Sequence, residues 1–147
     1  MKDERDFEAV ENNIVDALLG AAAFRTEANL REIHIIRDER ELFKFKIHAL
    51  TEDELLRCRK LSTKNRGRRD EETNWNLFTA QAIYMSTVDE DKKLLWQNKE
   101  VWQKLGVASG VEVITKVLTP SEKAKIFEAI ETISGYDDEL DGLIQNL

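Results

Sequence analysis

Apolar residues recur at the three- and four-residue spacing of a helix face over most of this chain. The clearest case begins at Leu118-Thr-Pro-Ser-Glu122, where Thr119 and Glu122 form a capping box and Pro120 takes the first helical position. Gly135 is placed to end this helix in the left-handed conformation. The predicted core-facing stripe is Ile126, Phe127, Ile130 and Ile133, with Glu128, Glu131 and the lysines on the other face.

The same periodicity predicts further helices before and after this one. An amphipathic helix over residues 6–23 carries its apolar positions at Phe7, Val10, Ile14 and Leu18. Capping boxes at Thr51–Glu54 and Ser109–Glu112 begin two more helices, and Asp137 or Asp138 begins a last one with Leu140, Leu143 and Ile144. The helix predicted from Thr73 is apolar around its whole circumference and is therefore expected to be central. A short helix with Val101, Trp102 and Leu105 is predicted to end at Gly106.

One region changes period and predicts strands. Phe43, Phe45 and Ile47 alternate with Lys44, Lys46 and His48, as in a half-buried strand, and residues 32–37 make its partner across a turn at Asp38-Glu-Arg-Glu41. A lone hairpin is marginal in water, so we expect helices to cover one face, and whether an edge pairs with another chain is left open. The predicted fold class is α+β, mainly α: a small antiparallel hairpin, 32–49, near the N-terminal third, packed against a bundle of about six helices.

Composition narrows the class of protein. The 147 residues suit a single domain, 1–147, with a helical region over 51–147. The net charge of −7 disfavours DNA and anionic membranes as partners. A single cysteine, no leader sequence and no apolar run of about 20 residues favour a cytoplasmic protein that does not cross a membrane.

The residues that could carry chemistry do not form a recognisable site. His34, His48 and Cys58 match no metal-ligand spacing. The neighbouring arginines, Arg57 and Arg59, could lower the pKa of the Cys58 thiol. Adjacent residues on a helix face different directions, however, so we interpret Cys58 as a small hydrophobic residue and not as a nucleophile. The acidic runs at 89–91 and 137–139 are interpreted as helix N-terminal charges rather than calcium ligands. We therefore predict no catalytic, metal or cofactor site, and no enzyme.

Two surface features remain as candidate binding sites. The run from Arg57 to Arg69 holds seven basic residues and no acid, and its part from Ser62 onward is predicted to be a mobile loop. The missing aromatics and the acidic chain favour a solvated loop, or one that docks an acidic protein partner, over a contact with nucleic acid. Three tryptophans lie within 28 positions. Most tryptophans of this kind are core residues, but an exposed one would mark an interface, and Trp96 and Trp102, in the less regular stretch, are the residues that we expect to be exposed there. The candidate partner-binding residues are Trp96, Trp102, Arg66, Arg68 and Arg69.

The order of these pieces resembles a known family. The strand Phe43-Lys-Phe-Lys-Ile-His-Ala-Leu-Thr-Glu-Asp-Glu54 is followed by Thr73-Asn-Trp, Leu105-Gly-Val107, Leu118-Thr-Pro-Ser-Glu122 and Ile133-Ser-Gly-Tyr136. Together they resemble the XkdN-like tail assembly chaperones of long-tailed bacteriophages and defective prophages of Gram-positive hosts, over about two-thirds of the chain. The family often has Pro-Gly-Glu where this chain has Pro120-Ser-Glu122.

The resemblance implies a non-enzymatic chaperone that binds the tape measure protein and keeps its helices from aggregating during tail assembly. It also implies the host bacterial cytoplasm as the location and absence from the mature virion. The tail tube protein and self-association are further candidate contacts. The alternative function is a nucleic-acid-associated phage or prophage regulatory protein that uses residues 57–69.

Overall fold

The first helix stands apart in its exposure. In this computed structural model, residues 4–23 and 29–135 are described, with side chains from residue 13 onward, so the predicted helix after Asp137 lies outside the described residues. Helix α1, Glu4–Ala23, confirms the predicted N-terminal helix. Its apolar positions Ile14, Val15, Leu18 and Leu19 are each more than half exposed. The rest of the described chain therefore does not cover this face.

The predicted hairpin is present. Strand β1, Leu30–Arg37, pairs antiparallel with β2, Arg40–His48, and Phe45 and Ile47 are buried while Lys44 and Lys46 are exposed, as the alternation predicts. The turn is shorter than predicted: Asp38 and Glu39 alone form it, both at positive φ, which is the backbone that a two-residue hairpin turn requires. A register shift opposite Ile35 and Ile36 leaves Leu42 in a bulge.

The outer edge of β2 is occupied by the connection that leads out of the central helix. Ile47 bridges to Thr87, the Val88 amide donates to the Lys46 carbonyl at 3.0 Å, and the Lys46 amide donates to the Asp91 carboxylate at 2.7 Å. Strand β1 pairs with no strand other than β2 within the described ranges. The hairpin therefore has one occupied edge and one edge without a strand partner in that part of the chain.

Helix α2, Glu52–Leu61, begins with the predicted capping box, in which Thr51 and Glu54 each accept from the other's amide. Within residues 62–69, predicted to be a mobile loop, two residues pair as a strand. Strand β3, Thr63–Lys64, pairs with β4, Glu72–Thr73, so the arginine-rich segment lies in a second small hairpin. The Asn74 amide donates to the Ser62 carbonyl at 2.8 Å and closes the hairpin against α2.

Helix α3, Trp75–Ser86, is central, as its all-round apolar sequence predicts. It packs against α2 and against two later helices, α6 (Gly110–Val117) and α7 (Pro120–Ile133), and touches β2. Ala80, Ala82 and Ile83 have no exposed surface. Since two of these three residues are alanines, neighbouring helices can approach the α3 backbone closely.

Four helices complete the described chain: α4, Asp89–Leu94; α5, Lys99–Leu105; α6, Gly110–Val117; and α7, Pro120–Ile133. The acidic run 89–91 lies in the first turn of α4, and Gly106 and Gly135 are left-handed, as predicted. The capping box of α7 is confirmed, but that of α6 is only half right. Ser109 accepts from the Glu112 amide, whereas the Glu112 carboxylate accepts from the Ala108 amide instead of from Ser109.

The predicted stripe on α7 is confirmed, since Ile126, Ile130 and Ile133 are buried and Phe127 is partly buried. The placement of all its lysines on the outer face is wrong, because Lys123 is 8% exposed. It lies one turn before the buried Ile126 and the partly buried Phe127, so its long stem packs along the same side. With these corrections the structure confirms a mainly α, α+β fold.

Candidate functional site

An apolar pocket of about 290 Å³ opens at the surface between β2, the α4–α5 region and α6. Its volume lies at the small end of the ~300–1,000 Å³ range of ligand pockets, so it suits one or two apolar side chains. Leu94, at the end of α4, is 65% exposed beside it. The lining residues are Phe43, Leu94, Leu95, Trp96, Asn98, Val101, Val113 and Val117.

The floor of this pocket is rigid because Trp96 is held from two sides. Its ring meets Phe45 and Phe43 edge-to-face, with centroids 5.3 and 6.2 Å away. Its indole N–H donates to the Thr87 hydroxyl at 2.9 Å, and the Trp102 indole N–H donates to the Trp96 carbonyl at 2.6 Å. The pocket is therefore built into the core rather than formed by a loose loop.

The elements that line the pocket carry exposed lysines, although the chain is acidic overall: Lys44 on β2, Lys93 on α4, Lys99 on α5 and Lys116 on α6. Adjacent residues of a strand or helix face different directions, and none of these lysines is a lining residue. Three of them already have contacts: Lys44 pairs with Glu32 at 3.5 Å, Lys99 lies 3.6 Å from the Trp102 ring centroid, and Lys116 donates to the Leu105 carbonyl at 3.2 Å. The lining therefore suits an apolar side chain, and the lysines bear on the charge of the surrounding surface.

The expected exposure of the tryptophans is wrong for Trp96, which is 1% exposed. It serves as a wall of the pocket and not as a protruding residue. Trp102 is half-buried, with the Lys99 ammonium 3.6 Å from its ring centroid. The exposed tryptophan is Trp75, at 59%, and not one of the two that the sequence predicts to be exposed. It is the first residue of α3 after the Asn74 cap, and a helix terminus is a place where sequence alone could have indicated exposure.

The basic segment lies on the second hairpin with Arg66, Arg68 and Arg69 all exposed. The hairpin places this segment beside Asp70, Glu71 and Glu72 on the returning arm, and the Asn65 amide donates to the Asp70 carboxylate at 3.0 Å. Positive charge is therefore interrupted by carboxylates in space as well as in sequence. Among the described residues, no contact joins Arg66, Arg68 or Arg69 to Trp96 or Trp102.

Cys58 is fully buried in α2, with its sulfur 3.9 Å from the Met85 sulfur. Burial raises the pKa of its thiol to about 11, the Glu54 charge adds to this, and Arg57 opposes it. Arg57 therefore acts in the predicted direction, but the net pKa is raised because loss of hydration outweighs its charge. A buried thiol with a raised pKa is a poor nucleophile.

The two histidines lie in different surroundings. His34 is exposed on β1 between Glu32 and Glu41, and hydrogen-bonds or pairs with both. His48 is half-buried, with its Nδ1 2.8 Å from the Ala49 carbonyl. Among residues 4–23 and 29–135, histidine, cysteine and carboxylate side chains form no group of three that could hold a metal ion.

A mainly helical protein with a preformed apolar pocket on its surface is typical of proteins that bind another polypeptide. The comparisons place it more narrowly. Residues 15–147 match the family model for phage XkdN-like tail assembly chaperone proteins, and the chain belongs to this family. Its general role is therefore that of a phage tail assembly chaperone, which points to a non-enzymatic protein.

Other comparisons add little. No curated protein sequence matches the chain. Among solved structures, the crystal structure of the protein YqbN is similar, with 22% sequence identity and a TM-score of 0.48, and the match covers 74% of this chain and 87% of that chain. In the part of the chain that the structure describes, no helix has the length and apolar character needed to span a membrane.

Proposed function

We propose that this protein binds the tape measure protein of its phage and keeps that protein soluble while the tail assembles. It acts by stoichiometric binding in the host cytoplasm and is left out of the finished virion. Membership of the chaperone family supports the assembly role. The apolar pocket supports the mode of binding, and it is the observation on which the proposal rests.

The pocket suits a helical client because it accepts an isolated apolar side chain. Seven of its eight lining residues are apolar, and Asn98 is the exception. An amphipathic helix presents such side chains at a spacing of three or four residues and would bury one here, next to exposed Leu94. Full burial of an apolar side chain contributes about 1.5–3 kcal/mol, so one such contact gives weak, reversible binding. A chaperone that must release its client needs contacts of this strength.

Lysines around the pocket add selectivity. A client helix with carboxylates beside its apolar anchor would be attracted by the charge of the exposed Lys93, Lys99 and Lys116 on the lining helices, whereas a basic helix would be repelled. The tail tube protein, which replaces the chaperone on the tape measure protein, is a further candidate contact. We assign no residues to it.

Coexpression with the tape measure protein encoded in the same genome tests the proposal. The chaperone should raise the soluble fraction of that protein and elute with it on a sizing column. Leu94→Glu places a charge at the mouth of the pocket on a side chain that is already 65% exposed, so it should leave the fold intact and reduce both effects. Leu61→Glu is the matched control, since Leu61 is 54% exposed at the end of α2 and does not line the pocket.

Two results would count against the proposal. Failure of the unmodified chain to form any complex with the tape measure protein removes the proposed client. Equal loss of binding in Leu94→Glu and Leu61→Glu shows that the pocket is not the binding site. Circular dichroism of both variants confirms that the comparison is between folded proteins.

A further inference from the structure

A second surface depression, of about 210 Å³, lies between α2 and the small β3–β4 hairpin. We call it the α2 groove and define it by its lining residues. Leu56, Arg59 and Lys60 share one face of α2, at positions three and four residues apart, and the hairpin contributes Thr63, Arg66 and Glu71. It therefore combines an apolar residue, 48% exposed, with three cations and one carboxylate.

Trp75 stands beside this groove. The Arg59 guanidinium carbon is 6.0 Å from the centroid of the Trp75 ring. Trp75 is 59% exposed, yet it is well supported, because it packs edge-to-face on Phe78 at 5.6 Å and Phe78 packs on Phe127 at 5.5 Å. A rigid, exposed tryptophan loses little side-chain entropy on binding, which is why tryptophan is enriched at the centres of interfaces.

The cations of the groove are not used to hold the fold together. None of the ion pairs found among residues 29–135 involves Arg59, Lys60 or Arg66. By contrast, Arg37 is held by Glu122 in two hydrogen bonds. In a chain of net charge −7, a local excess of free cations beside exposed Leu56 and Trp75 is electrostatically complementary to an acidic ligand with apolar groups.

We propose that the α2 groove, together with Trp75, binds an acidic, apolar segment of a partner protein. An apolar side chain of that segment packs on Leu56 and Trp75, while its carboxylates pair with Arg59, Lys60 and Arg66. This site is separate from the apolar pocket, with which it shares no lining residue.

A protein fits this surface better than a nucleic acid does. Glu71 lies inside the groove, and Asp70 and Glu72 flank it in sequence, so a phosphate backbone with a charge at every nucleotide would meet repulsive carboxylates. A peptide can place its carboxylates against the cations and a neutral residue against Glu71. Leu56 also offers an aliphatic contact that a base does not need.

Fluorescence anisotropy on the full chain tests the proposal. The probe is a short fluorescein-labelled peptide of glutamate, leucine and glycine, and its glutamine counterpart is the control peptide. At low salt we expect the acidic peptide to bind and the control peptide to bind at least about tenfold more weakly, equivalent to ~1.4 kcal/mol. The double variant Arg59→Gln with Lys60→Gln, and separately Trp75→Ala, should each weaken binding of the acidic peptide by a similar factor.

The matched control is Arg68→Gln with Arg69→Gln, which removes the same charge from the adjoining β3–β4 hairpin, at residues that do not line the groove. It should change affinity by less than about twofold, whereas a purely diffuse electrostatic attraction would make both double variants equally weak. That equality would overturn the proposal, as would no binding of the acidic peptide. Tighter binding of oligothymidylate than of the peptide would assign the surface to nucleic acid instead. Leu94→Glu should leave peptide binding unchanged, which separates this site from the apolar pocket.

Discussion

Among the glycines of residues 4–23 and 29–135, Gly110 leaves the least room for an added methyl group. It is the first residue of α6 and is buried. A Cβ at this position would lie 2.4 Å from Cε2 of Tyr84 and 2.9 Å from the Trp96 carbonyl oxygen. Ordinary contacts begin at 3.4 Å, so the Tyr84 ring would have to withdraw by about 1 Å.

Neither neighbour can move freely. The Trp96 carbonyl accepts the Trp102 indole N–H at 2.6 Å, and the Tyr84 hydroxyl accepts from the Gln97 amide at 2.8 Å. Overpacking of this kind costs about 1–3 kcal/mol. Alanine is intrinsically better than glycine in a helix by up to about 1 kcal/mol, and less at the first helical position. We therefore expect Gly110→Ala to lower the free energy of unfolding by about 1–2 kcal/mol.

Urea unfolding followed by tryptophan fluorescence measures this change. In a domain of this size it corresponds to a fall in Tm of about 2–4 °C per kcal/mol. Gly20→Ala in α1 is the matched control, because nothing lies within 4 Å of its Cβ and the helix propensity should raise helicity in circular dichroism. An unchanged or increased stability of Gly110→Ala would refute the reasoning, since it would mean that Tyr84 or the Trp96 backbone relaxes without cost.

Two further predictions concern titratable groups. Hydrogen bonding from Arg37 lowers the pKa of Glu122 to about 2, below its usual 4.5, so the stabilisation is complete above about pH 5 and is lost as pH falls toward 2. The difference in Tm between the unmodified chain and Arg37→Met should therefore be largest at neutral pH and shrink in acid. A difference that does not change with pH would contradict this. Arg40→Met is the control variant. Burial raises the pKa of Cys58 to about 11, so its thiol should react with Ellman's reagent at pH 8 only when the chain unfolds. Rapid labelling of the native chain would contradict this, because it would show that the contact between α2 and α3 opens easily.

Local signals in the sequence were sufficient for most of the fold. The capping boxes at Thr51 and Thr119 involve residues three positions apart, so their hydrogen bonds depend on little beyond the local chain. The alternation through Phe45 and Ile47 predicted which face of β2 is buried for the same reason. The error at Ser109 shows the limit of this approach, because Glu112 had a second nearby amide, that of Ala108, to bind.

Features that depend on tertiary packing could not be predicted in this way. Lys123 is buried by elements that pack over α7, although a lysine at that position is normally placed outside. Trp96 is enclosed by β2 instead of being exposed at an interface, and the exposed tryptophan is Trp75, at the start of α3. The apolar pocket joins residues from Phe43 to Val117, and no local motif marks such a set.

The hairpin β1–β2 has a consequence for crowded assembly conditions. Thr87, Val88 and Asp91 occupy the outer side of β2, and within residues 29–135 no strand other than β2 pairs with β1, so a strand added to this part of the sheet would pair with β1. A sheet that can be extended on both sides can stack without limit, as in a fibre, whereas a sheet that is open on one side can join a single additional strand and then stops. By this geometry, strand addition between copies of this hairpin would end at a pair, so the protein could accumulate at high concentration without forming filaments through its sheet.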